Sequence, residues 1–187
     1  MKKIILISGK SHNGKSEVAK IFKQLLEQQN KKVLILPFAK YLKQYLHEYF
    51  GWDMITKDSI YRSNAQYLGT EIIRKKLKKP LFHAMRICDD IEILQDQADY
   101  FLIDDCRFLN ELTYTTARFP HKTISIRVSR VNYNSPLTEE QQEHPSEIDL
   151  DNYKGFDYHI YSKNGIENLE FETKRIFNQI MKDIGKD

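Results

Sequence analysis

The sequence predicts an α/β protein with a five-stranded parallel sheet covered by helices on both faces. Short apolar, β-branched runs alternate with stretches of helical periodicity, the pattern of a doubly covered parallel sheet. The first such run, Ile4-Ile5-Leu6-Ile7, passes directly into Gly9-Lys10-Ser11-His12-Asn13-Gly14-Lys15-Ser16, a complete Gly-x-x-x-x-Gly-Lys-Ser phosphate-binding loop. Val18, Ile21, Phe22, Leu25 and Leu26 then recur at helical spacing, so the loop follows a strand and opens a helix, the context the motif requires. A P-loop NTPase fold follows. The earlier Gly9-Lys10-Ser11 is a decoy, because Ile4 stands where its first glycine would have to be.

The elements can be placed in order. Residues 15–30 are the loop helix, and 32–36 are a second strand closed by Pro37. The 39–50 stretch is helical, with Tyr41, Leu42, Tyr45, Leu46 and Tyr49 apolar, and it ends at Gly51. Residues 52–63 are polar and irregular, and helices are expected over 64–76 and 81–95. Tyr100-Phe101-Leu102-Ile103-Asp104 is a buried strand ending in a carboxylate. A helix over 110–119 and a strand over 122–128 come next, then a polar stretch with little periodicity, a strand over 156–161, and a closing amphipathic helix over 165–184. One domain is expected: a core of 1–38, 98–129 and 154–187, a helical insert at 39–97 and a lid at 130–153. A polar segment of the lid's length is usually functional or disordered.

Composition narrows the class. The 187 residues include 29 basic and 26 acidic side chains, a net charge of +3. That balance argues against nucleic-acid binding, and the Arg74–Lys79 basic cluster reads as a solvated helix end. Two cysteines without a Cys-x-x-Cys pair argue against a zinc site or a disulfide framework and fit a reducing, cytoplasmic compartment. The chain opens on its first strand, so no signal peptide is expected. No apolar run approaches the ~20 residues of a membrane span.

The loop sets the chemistry. Gly9, Lys10, Ser11, His12, Asn13, Gly14, Lys15 and Ser16 would wrap the ATP phosphates with inward N–H groups and a helix N-terminus behind them. Lys15 would reach the β- and γ-phosphates, and the Ser16 hydroxyl would ligate Mg²⁺. Asp104 sits where a strand delivers an acid beside the loop to orient Mg²⁺. Asp105 can share or take that role, and one of the two can instead be a helix cap. Arg107 can fork onto a phosphate or pair with Asp105. Gln66, Thr70 and Arg74 fall on one helix flank beside an Ala65, Leu68 and Ile72 stripe, with Arg62 just before and Gly69 allowing close approach. They read either as an acceptor site or as an exposed helix face. Lys43 is a further phosphate cation or is solvated. Arg127 and Arg130 could swing onto the donor phosphates, and His144 is a lid or an ordinary loop histidine.

Two absences bear on the acceptor. Kinases acting on a hydroxyl need a base, commonly a carboxylate just after the second strand. Here that place reads Pro37-Phe38-Ala39-Lys40. An ionised phosphate acceptor needs no base, so the sequence leans to a monophosphate, unless Asp53 or Asp58 in the irregular stretch supplies one. The 131–153 stretch holds six acids and no Lys or Arg, which is odd for a surface closing over phosphates. Neither the Asn-Lys-x-Asp nor the Asp-x-x-Gly element of a GTPase is present.

At these residues the chain resembles the phage-type deoxynucleoside monophosphate kinases, relatives of adenylate kinase, over nearly its whole length. The likeness rests on Gly9 to Ser16; Phe38-Ala39 with Lys43; Arg62, Gln66 and Leu68-Gly69-Thr70; Asp105-x-Arg107 with Asn110-Glu111; His144-x-x-Glu147; and Phe156-Asp157-Tyr158 with Asn164-Gly165. The resemblance implies ATP- and Mg²⁺-dependent phosphorylation of a deoxynucleoside monophosphate by a monomer or homodimer. It implies that Arg62, Gln66 and Thr70 fall on acceptor-side positions and that Arg107 and Arg130 lie near the phosphates. Taken with the residue reading, the expected catalytic residues are Lys15, Arg107 and Arg130, and the expected acceptor side is Phe38, Lys43, Arg62, Gln66, Thr70, Arg74 and Arg107. Lys10 and the acid-rich lid depart from the family pattern. The alternatives are a hydroxyl-directed kinase of the dephospho-coenzyme A kinase type and a non-catalytic ATP-binding regulatory module.

Overall fold

A computed structural model describes residues 2–163 and 165–185; Asn164 of the expected Asn164-Gly165 pair lies outside them. Five strands form one parallel sheet in the order β2-β3-β1-β4-β5: β1 Lys3–Ser8, β2 Val33–Ile35, β3 Tyr100–Cys106, β4 Thr123–Arg130 and β5 Tyr158–Ser162. The all-apolar run of β1 is explained by its place. It lies between β3 and β4, with every residue buried. Period-two alternation then divides its side chains between two cores. Ile4 and Leu6 join a cluster with Ala84, Ile87, Phe101 and Leu112. Ile5 and Ile7 join Val18, Phe22, Leu102 and Phe177 on the other face. Burying each such side chain contributes roughly 1.5–3 kcal/mol.

α1 (Lys15–Glu27) and α8 (Ile166–Ile184) cover the second face, joined by an edge-to-face contact of Phe22 and Phe177 with centroids 5.4 Å apart. α4 (Phe82–Ile93) and α5 (Leu109–Arg118) cover the first. Between β2 and β3 the chain is helical: α2 (Lys40–Phe50), α3 (Ser59–Gln66), a π-helix over Tyr67–Lys76, and α4. Among the described residues no helix is long and apolar enough to cross a membrane.

Three expectations need correction. The 52–63 stretch is not irregular throughout. Asp58 accepts a hydrogen bond from Tyr61 N at 2.8 Å and starts α3, and Trp52 stacks on Tyr61 at 4.4 Å. The 64–76 helix is not one α-helix. From Tyr67 it widens into π geometry, in which each bond spans one more residue. The face turned to the core is therefore Gly69, Thr70 and Ile73, not Ala65, Leu68 and Ile72. The polar 131–153 segment carries two short helices, α6 (Glu139–Glu143) and α7 (Pro145–Ile148).

The pairing of β1 with β3 slips between Leu6 and Ser8, so that Ser8 pairs with Cys106 rather than Asp105. A bulge of this kind bends the strand and re-aims the extra side chain. It falls on the Asp104-Asp105 pair at the carboxyl edge of the sheet.

Gly9 tests how tightly the loop is seated. A Cβ there would stand 2.5 Å from the Val128 backbone oxygen, which is held in the β4 ladder and cannot swing away. Gly9→Ala should destabilise the chain by about 1–3 kcal/mol, the usual cost of forcing a carbon into filled space. Urea denaturation would read this, and an unchanged midpoint would contradict it.

Candidate functional site

At the carboxyl edge of the sheet, where open α/β folds bind ligands, lies a cleft of about 480 Å³. One wall is the loop after β1. Lys15 is buried and donates from Nζ to the Lys10 carbonyl at 2.7 Å. Its ammonium, the expected phosphate-binding cation of the loop, is turned back on the loop's own backbone. Burial pushes its pKa down to about 7, Arg107 adds to the effect, and Glu147, Asp105 and Asp104 oppose it.

The Ser16 hydroxyl donates to Asp104 Oδ2 at 2.6 Å, and both residues line the cleft. A hydroxyl beside a carboxylate at the mouth of the phosphate loop is a donor set suited to a hard divalent cation, so the residues fit Mg²⁺. Asp105 lines the cleft too but is engaged differently. Its oxygens accept the Phe38 and Ala39 backbone N–H groups at 2.7 and 3.0 Å, which clamps the start of the insert to β3. Desolvation, then the neighbouring Asp104, raises its carboxyl above the ordinary value. Among the described residues no group of three or more His, Cys, Asp or Glu is arranged to hold a metal.

The opposite wall is the insert. Phe38, Lys43, Arg62, Gln66, Thr70 and Arg74 all line the cleft, with Leu42 and Tyr61 between them. Arg62 reaches the loop, donating from Nη1 to Ser11 Oγ at 3.1 Å, with Nη2 3.4 Å from His12 Nε2. Gly69 lets the π-helix close on α2, since a Cβ there would meet Leu42 Cδ2 at 3.2 Å. Arg74 is committed elsewhere. It ion-pairs with Glu111, donates to the Pro80 carbonyl, and stacks 3.8 Å over the Phe108 ring. It is a wall of the cleft rather than a spare cation.

Arg107 also lines the cleft. It pairs with Glu147 and not with Asp105, and its Nη2 donates to Ser11 Oγ at 3.2 Å. Arg130 is not brought there: its guanidinium lies over the Tyr133 ring at 4.1 Å. Arg127 joins Ser8 Oγ and Asp151, and Lys10 pairs with Asp151 at 2.6 Å. His144 lines the cleft and caps α7, accepting from Ser146 N at 3.2 Å. Asp53 accepts from Ile55 and Thr56 and Asp58 from Tyr61, and neither is among the residues lining the cleft.

Sequence reasoning missed three residues. Glu147 was seen only as half of a family pattern, yet it sits against the loop. Glu111 was noted without a role. It is buried, accepts the Arg107 and Phe108 N–H groups, and burial raises its pKa to about 7 against the pull of Arg74. His83 has two buried ring nitrogens with no partner among the described residues, and it lines the cleft behind Gly69. Burial, then Arg74, lowers its pKa to about 4, so it is neutral. Only the Glu147 pattern offered a signal; His83 reads as one more residue on the core side of α4.

No protein-family model matches the chain, and no curated protein does. Solved structures do. An APS kinase from Mycobacterium tuberculosis in complex with AMPPNP and APS superposes with a TM-score of 0.53 at 10% identity, over 96% of this chain and 98% of that one. Shikimate kinase from Bacteroides thetaiotaomicron gives 0.51 at 13% identity over 96% and 98%. Dephospho-CoA kinase from Campylobacter jejuni gives 0.51 at 16% identity over 98% and 99%. The chain shares the fold of these P-loop kinases; identities this low carry the likeness no further.

Lys15 is expected to titrate near pH 7 in the empty cleft. Below that pH the folded and unfolded chains both hold the proton, so the burial penalty is complete. As pH rises from about 7 toward 10.5 the folded chain sheds it first, and the penalty is relieved. Carbon-detected NMR should show one lysine ε-carbon moving near pH 7 and missing from Lys15→Met. A spectrum in which every lysine titrates near the ordinary ~10.4 would refute it.

Proposed function

We propose that this chain is a Mg·ATP-dependent kinase acting on a nucleoside monophosphate, in keeping with the resemblance to deoxynucleotide kinases. One observation carries the reading: a single cleft joins the phosphate loop to Arg62, Lys43, Gln66 and Thr70 across from it. A donor triphosphate in the loop and an acceptor against the insert would meet end to end. The 39–97 segment then serves as the acceptor-binding insert and the 130–153 segment as the lid.

In the reaction an acceptor phosphate oxygen bonds to the γ-phosphorus. The bridging bond to the β-phosphate breaks, and ADP leaves with that electron pair. Phosphoryl transfer of this kind is mainly positioning and charge neutralisation. Lys15 holds donor phosphate oxygens, Arg62 and Arg107 orient the anions from the two walls, and Gln66 and Thr70 offer polar groups to the rest of the acceptor. Ser16 and Asp104 would hold a Mg²⁺, which when bound would supply further neutralisation of phosphate charge. No general base is required, because the acceptor oxygen is already ionised.

A hydroxyl-directed kinase is the second reading. Glu147 and Asp104 are carboxylates lining the cleft, so a base is available from the segment after β4 even though none follows β2. A regulatory ATP-binding module would bind the nucleotide without acceptor-dependent turnover.

A coupled ADP-release assay across nucleoside monophosphates, nucleosides and dephospho-coenzyme A separates these readings. Turnover with monophosphates alone is expected. Turnover confined to hydroxyl acceptors would replace the first reading with the second, and none at all would leave the regulatory module. Lys15→Ala should lower kcat by at least ~100-fold, as losing a preorganised electrostatic donor does. Arg62→Ala should raise KM for the monophosphate about ten- to a hundredfold, the worth of a charged hydrogen bond of about 1.5–3 kcal/mol. An unchanged KM would remove Arg62 from the acceptor site.

A further inference from the structure

Glu147 lies 136 residues along the chain from Ser11, yet its two carboxylate oxygens accept the Ser11 backbone N–H and the Ser11 hydroxyl, each at 2.7 Å. Arg107 ion-pairs with the same carboxylate. Arg107 and Arg62 both converge on the Ser11 hydroxyl oxygen, from 3.2 and 3.1 Å. Only 6% of Glu147 is exposed. Burial by itself would raise its carboxyl, but Arg107, the two Ser11 bonds and Lys15 outweigh it and hold the group below its ordinary value. An ionised oxyanion thus sits inside the phosphate loop. Its partners are a backbone N–H, a hydroxyl and a guanidinium, the kinds of donor that bind phosphate oxygens.

The rest of the segment is anchored in the same sense. Asp149 accepts the Leu109 N–H at 2.7 Å at the start of α5, and Asp151 bridges Lys10 and Arg127. Two of the six acids that made this stretch odd for a surface closing over phosphates, Glu147 and Asp151, are therefore counter-charges for the loop and its rim, and a third, Asp149, anchors the segment to α5.

We propose that Glu147 is a built-in stand-in for the transferred phosphoryl group. Ser11 N–H, the Ser11 hydroxyl, Arg107 and Arg62 form the subsite for that group, and the 131–153 segment holds it shut until a polyphosphate displaces the carboxylate. The proposal rests on reading the Gly9–Ser16 loop as a polyphosphate cradle. No covalent bond changes; one anion is exchanged for another. A terminal phosphate carries more charge and more acceptor oxygens than a carboxylate, so it wins the exchange while Glu147 keeps the empty subsite from standing uncompensated. The segment thereby reports whether the cradle is filled.

Calorimetric titration with inorganic tripolyphosphate would test this on the wild type, Glu147→Gln and Lys15→Ala. Glu147→Gln keeps the side chain's shape and should bind at least about tenfold more tightly than wild type, the factor for a closed state about 90% populated. Equal or weaker binding by Glu147→Gln, with wild-type binding intact and lost in Lys15→Ala, overturns the stand-in and leaves the cradle standing. Absence of binding in wild type and Glu147→Gln alike overturns both. The wild-type chain gives an independent measure: amide exchange across 139–151 should speed up when tripolyphosphate is added. Slower exchange there would mean the segment closes on the ligand rather than yielding to it, and would overturn the proposal.

Discussion

The cleft depends on one electrostatic constraint. A loop shaped to surround an anion concentrates positive potential, and that potential must be balanced even when no anion is bound. Lys15, Arg62 and Arg107 converge on a few ångströms of backbone around Ser11, and leaving buried charges unpaired costs several kcal/mol each. The fold balances them internally. Lys15 turns onto the Lys10 carbonyl, and Glu147 enters from the segment after β4 to meet Ser11 and Arg107. The position of α7 follows from this balance, whereas the lowered pKa of the Lys15 ammonium follows first from its burial.

The same balance sets how the insert is joined to the core. Asp105 clamps the β2–α2 connection by its backbone amides. Within the insert, Asp90 on α4 holds Lys40 and Tyr41 at 2.8 and 2.7 Å. Arg74 ties the π-helix to α5 through Glu111. Two of the groups in these ties, Asp105 and Arg74, are ones that a purely catalytic reading keeps free for ligands. What remains turned into the cleft is a smaller set: Lys43, Arg62, Gln66 and Thr70, over an apolar floor of Phe38 and Leu42. Neutral His83, with no hydrogen-bond partner among the described residues, stands behind them.

Fold and chemistry separate here in the usual way. A five-stranded parallel sheet with a phosphate loop after its central strand supports many acceptors, so the acceptor has to be argued from the site. The absence of an acid after β2 was a fair argument as far as the sequence runs. Its weakness is topological, since a carboxylate from α7 arrives beside the same loop through a connection of more than a hundred residues.

The sequence alone determined the features that depend on near neighbours. The four apolar residues of β1 announce a central strand because nothing else buries both faces of an extended chain. Gly9 to Ser16 announce the loop because their spacing is local. Gly51 ends α2 with a positive φ of 70°, as its position implied. Tertiary structure decided whatever depends on who arrives from elsewhere. It divided the Asp104-Asp105 pair, sending one to Ser16 and the other to the amides of Phe38 and Ala39, through a bulge that no periodicity reveals. It bound Arg74 to Glu111 in the cleft wall, left Arg130 over Tyr133, and delivered Glu147 to Ser11 and Arg107. Those outcomes are set by charge pairing across the cleft, and the partner of a charge cannot be read from residues beside it in the chain.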